Sequence, residues 1–173
     1  MIHRAALAAG SLALALIGAS ASGRGQEPAS PEQWRPFGGT WSASGRRHTL
    51  AVEGDAQAAV VEVSGAVAIT DGEGLARGFH GRAIAFDDGQ GVSLGRAVWT
   101  DERGDRVFSR LRGEPIQTSR RLTGTITGGT GRYAGLEGEY SLTWQYVVVG
   151  EGDSIQGRAI GLSGRIRRAE TAR

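Results

Sequence analysis

His80 and Arg82, followed by Arg110, Arg112 and Glu114, are the residues of this 173-residue chain whose types and spacing suit chemistry. Residues two apart in an extended strand point to the same side. His80 therefore shares a face with Arg82, and Arg110 shares one with Arg112 and Glu114. Directed inward, His80, Arg82, Arg110 and Glu114 would build a charged pocket of the kind an isomerase or cyclase uses. Buried charges are costly unless paired, so such a set would mark a site. Directed outward, the same residues would form cross-strand ion pairs of small individual worth.

Other motifs meet a chemical pattern in form only. Gly91-Val92-Ser93-Leu94-Gly95 has the spacing of a serine nucleophile elbow, and Gly152-Asp153-Ser154-Ile155 is similar to a GDSL hydrolase block. Either hydrolase needs a base histidine after the serine, and no histidine follows His80. Val92, Leu94 and Val98 instead continue an alternating strand, which predicts that Ser93 turns away from the apolar face. Gly129-Thr130-Gly131-Arg132-Tyr133-Ala134 satisfies G-x-G-x-x-A, whose phosphate chemistry requires a helix to follow; here a strand pattern follows. A Walker loop needs lysine, and the chain has none. His48 and His80 lack an HxH or HExxH partner, and Asp87-Asp88-Gly89 lacks the closing glutamate of a calcium loop, so neither metal nor cofactor is expected.

The elements that must position these residues have a period of two. Val61, Val63, Val67 and Ile69 alternate with Glu62, Ser64, Ala66 and Ala68, and Leu122, Gly124 and Ile126 alternate with threonines. Tyr140, Leu142, Trp144, Tyr146 and Val148 form the most aromatic face, which predicts a strand lining the interior. Turn signals at Glu53-Gly54-Asp55, Asp71-Gly72, Asp87-Asp88-Gly89, Glu102-Arg103-Gly104, Gly128 to Gly131 and Gly150 to Asp153 separate about eight strands. Regular short strands and tight turns predict an all-β, antiparallel up-and-down barrel, because closure removes exposed edges. A β-sandwich is the alternative.

The stretch from Thr125 to Val149, with Gly128, Gly129 and Gly131 at its corner, resembles the GGTG or GGSG corner of the allene oxide cyclase and dirigent families. Those families have small calycin-like barrels and tend to trimerise, so the resemblance implies this architecture and a homo-oligomer. It implies neither reaction, because only the glycine corner matches. Gly39-Thr40-Trp41 resembles the first-strand G-x-W of lipocalins, which implies an indole stacked on an arginine, with Arg165 or Arg167 as the partner.

Residues 1–21 read as a secretory signal peptide: a short basic start, an apolar run from Ala5 to Ile17, and a small-residue site Ala19-Ser20-Ala21 with cleavage after Ala21. A secreted or periplasmic protein with no membrane span follows from that reading. Residues 22–37, with three of the four prolines, form a flexible leader, 38–168 the barrel, and 169–173 a disordered tail. The formal charge of +2 is spread among interleaved acids and arginines, which disfavours nucleic acid as a partner. The expected role is binding of a small apolar or amphipathic molecule, with Trp144, Tyr146 and Trp99 supplying an aromatic wall. A lumen enzyme or a structural envelope protein with a filled barrel are the alternatives.

Overall fold

The computed structural model describes residues 33–116, 119–149 and 152–169. The signal segment, the leader up to residue 32 and the tail from residue 170 lie outside the described residues. Eight strands follow one another: β1 (Arg35–Ala51), β2 (Gln57–Gly72), β3 (Gly78–Asp87), β4 (Ser93–Asp101), β5 (Arg106–Ile116), β6 (Ser119–Gly129), β7 (Leu136–Val149) and β8 (Ser154–Arg168). Each pairs antiparallel with the next, and β8 returns to β1 from Arg35↔Ile166 to Arg46↔Ser154, closing the barrel. The first strand begins at Arg35, ahead of the expected start at residue 38, because Arg35 to Phe37 already pair with β8.

Alternation places Phe37, Trp41, Val63, Val67, Ile69, Trp99, Ile126, Tyr140 and Trp144 inside and the intervening polar residues outside. The end of the barrel where β1 begins is packed solid. Phe37, Phe79, Trp99, Tyr133 and Tyr140 meet there in tilted and edge-on pairs, with Trp99 and Tyr140 centroids 4.9 Å apart and Phe79 and Tyr133 5.7 Å apart. Aromatic quadrupoles favour such offset geometries. Each fully buried ring contributes about 2–3 kcal/mol by leaving water.

The glycine corner between β6 and β7 closes this end. Gly131 adopts φ +51°, a left-handed angle that a side chain resists, and starts a single 3₁₀ turn through Tyr133. That turn drives Tyr133 into the barrel, where its hydroxyl accepts the Ala76 N–H at 3.2 Å from the β2–β3 loop. Arg132 Nε donates to the Asp101 carboxylate at 2.7 Å, and the Arg103 and Asp105 N–H groups donate to its other oxygen. Burial pushes the Asp101 carboxyl up, but the Arg132 hydrogen bond and the two backbone donors outweigh it and hold it below the usual value.

The arginine stacking implied for Trp41 occurs elsewhere. Trp41 lies inside against Trp99 and Trp144, whereas the Arg165 and Arg167 guanidinium carbons each sit 4.7 Å from the ring centre of Trp34 on the outer wall. Both arginines point outward on β8 and cannot reach a lumen indole.

Candidate functional site

Strands β3, β4 and β5 carry large inward residues at the closed end and small ones at the other. Phe79, Trp99 and Val107 fill the first half, whereas Ala83, Ala85, Ser93, Gly95 and Gly113 face the second. The difference in side-chain volume leaves a cavity of about 320 Å³ in the open half. Trp41 and Trp144, packed 5.6 Å apart, separate it from the filled half, and Tyr146, Val63, Leu111 and Leu122 complete an apolar wall.

One polar cluster interrupts that wall. Asp87 on β3 and Ser93 on β4 are direct cross-strand partners, and both are buried. Arg120 enters from β6: its Nη1 donates to Ser93 Oγ at 3.2 Å and its Nη2 donates to the Asp87 carboxylate. The Asp87 side chain is 8% exposed and that of Arg120 22%. Gly113 on β5, the partner of both Ser93 and Leu122, makes this reach possible. A Cβ at that position would collide with the Ser93 hydroxyl and stand 2.8 Å from Leu122 Cδ2. Arg47 lines the same cavity from the far part of β1, where its backbone N–H donates to the Asp153 carbonyl at 2.8 Å.

The residues singled out in the sequence divide between the two faces. His80, Arg82, Arg110 and Glu114 are all exposed on the outside, so they form no charged lumen. His80 Nε2 lies 3.1 Å from Ser64 Oγ, Arg82 pairs with Glu62 at 3.1 Å, and Glu114 pairs with Arg112 at 3.3 Å. Their even spacing was sound, but the inward positions of β3 and β5 are the odd-numbered ones, set by Phe79, Val107 and Leu111. Trp144 and Tyr146 line the cavity. Trp99 does not: it is wholly buried in the filled half, between Trp41, Phe79 and Tyr140.

Ser93 reverses its expected direction as well, and Leu94, expected on the apolar face, is 59% exposed. The register Asp87↔Ser93 ties this part of β4 to a polar inward partner, and Ala97 and Trp99 fix the same parity further along. Arg120 and Arg47 are the site residues that sequence reasoning passed over, and Asp87, Ser93 and Trp41 entered it in other roles, as a turn residue, an outward strand residue and the partner of an arginine. A usable signal existed for Arg120, because extending the period of Leu122, Gly124 and Ile126 backwards by two brings it inside.

Among the described residues no three histidine or acidic side chains gather to hold a metal ion, and no helix is long and apolar enough to cross a membrane. The cavity offers apolar walls, a fixed guanidinium–carboxylate pair and a second guanidinium. Ser93 Oγ and the neighbouring Asp87 carboxylate both accept from the one Arg120 guanidinium. No protein family, curated protein or solved structure matches the chain, and the reading of the site rests on its geometry.

Proposed function

We propose that this barrel binds one small amphipathic molecule in the open half of its lumen, without transforming it. The observation that carries the reading is the division of the interior: one half is packed with aromatic rings, and the other is a cavity of about 320 Å³ with mostly apolar walls and a few polar groups, Asp87, Ser93, Arg120 and Arg47 among them. That volume sits at the lower end of the range for small-molecule sites, which combine mostly apolar linings with a few placed polar groups. An entirely filled structural barrel would not need Ala83, Ala85, Gly95 and Gly113 all facing one cavity. The leader-like N-terminus adds export to the reading, and the likeness of the glycine corner to allene oxide cyclase and dirigent barrels agrees with a container for small molecules.

The test is titration of intrinsic tryptophan emission, since Trp41 and Trp144 border the cavity. Medium-chain alcohols, medium-chain acids and simple phenols form the panel. At least one should give a saturable change, and Ala83→Leu, which fills the cavity from β3, should abolish it. A flat response to every compound, or equal binding by the filled variant, would overturn the proposal.

A further inference from the structure

The charge of the ligand follows from the cavity lining. Among the described residues that border it, two are arginines, Arg47 and Arg120, and one is acidic, Asp87. The lining therefore carries one surplus positive charge inside a wall that is otherwise apolar. Asp87 and Ser93 each accept from one terminal nitrogen of Arg120. A guanidinium has five N–H donors in a fixed fork, so this anchoring orients the group and leaves it further donors. Arg47, on β1, adds a second fork to the same space.

An ammonium head group would meet two guanidinium groups and only one carboxylate, already engaged. A neutral hydroxyl would leave the surplus charge unmatched. A single carboxylate balances it and can accept two parallel N–H bonds from one fork, the stronger kind of hydrogen bond. The size of the body is set by the volume. About 320 Å³ lies at the lower end of small-molecule sites, which suits a compact acid and not a long-chain one.

We infer that the cavity selects a small apolar monocarboxylic acid, with its body on Trp41 and Trp144 and its carboxylate against Arg120 and Arg47. This rests on the reading of the cavity as a ligand site. Asp87 and Ser93 act as positioning residues that hold the Arg120 fork in place.

Calorimetric titration of the full chain with octanoate, 1-octanol and octylamine tests it. Octanoate should bind at least about tenfold more tightly than the alcohol, the worth of one charge-assisted contact, and the amine should be weakest. Arg47→Gln and Arg120→Gln should each weaken octanoate about tenfold and leave 1-octanol unchanged, whereas Arg82→Gln on the outer face should change neither. If Arg120→Gln fails to fold, Asp87→Asn/Arg120→Gln removes both charges together and carries the same expectation. Equal affinity for octanoate and 1-octanol would overturn the acid selectivity while leaving the cavity reading intact. Octanoate binding that ignores both arginine substitutions would overturn the assigned residues. Binding of none of the three would defeat the cavity reading itself.

Discussion

Arg120 of β6 donates to the Asp87 carboxylate of β3 inside the lumen, spanning the two strands that lie between them in the wall. Removing the cation alone strands a buried carboxylate. A fully buried pair broken in this way costs about 3–5 kcal/mol, and the partial exposure of Arg120 lowers the expectation for Arg120→Ala to about 1–3 kcal/mol. Asp87→Asn/Arg120→Gln should recover most of the loss. Urea denaturation of the three proteins checks this, and a double variant no more stable than the single one would contradict it.

Trp144 and Trp34 should differ sharply. Trp144→Ala empties the boundary between the filled half and the cavity and should cost about 3–5 kcal/mol. Trp34 is 37% exposed and held by two arginines on the outer wall, so Trp34→Ala should cost about 1 kcal/mol or less. Thermal denaturation of both variants against the parent would reveal a wrong assignment of faces as a reversed order.

Gly113→Ala probes the space that Arg120 crosses. The added methyl must displace Ser93 or Leu122, and overpacking of this kind costs about 1–3 kcal/mol. Because Ser93 anchors Arg120, the same variant should weaken octanoate more than 1-octanol in titration. An unchanged ratio would separate Gly113 from the arginine's placement.

The pH dependence has two limbs of opposite origin. Asp101 is held below its usual value in the folded chain, so its contribution is complete above about pH 4 and fades as pH falls through the lower folded value. Asp101→Asn should flatten the acid limb of stability against pH. Burial pushes the phenols of Tyr133 and Tyr140 up to about 12, at Tyr133 against an opposing hydrogen bond from the Ala76 N–H. For a raised folded value the contribution is complete below about pH 10 and is lost as pH climbs through about 12. Absorbance titration of the phenolates should resolve two late groups, and Tyr140→Phe should remove one.

The strands were readable where both faces of the alternation differ in size. Tyr140, Leu142 and Trp144 on β7, Val63 and Val67 on β2, and Ile126 on β6 declare their faces, and the corner from Gly128 to Gly131 declares the sharp turn after β6. On β4 the rule misleads. Leu94 and Val98 look like the apolar face, yet Ser93, Gly95, Ala97 and Trp99 point inward, because the buried Trp99 at one end and the pairing of Ser93 with the inward Asp87 at the other set the parity. The cavity cluster was hidden for a different reason. Arg120 meets Asp87 from 33 residues away, and Arg132 meets Asp101 from 31; each charge alone looks like an ordinary surface residue. What pairs them is the register across strands distant in sequence, which local composition does not encode even where the period of two turns a residue such as Arg120 inward.

Both described ends of the chain leave the barrel at its plugged base. Arg35 opens β1 beside Ile166, and the Ala169 N–H donates to the Gly135 carbonyl at 2.7 Å just beyond β8. The first and last described strands therefore enter and leave the wall at the plugged base, on the side away from the mouth. A cell-surface tether, a fusion partner or a sensor chip coupled at that base would present the aperture to the surrounding fluid.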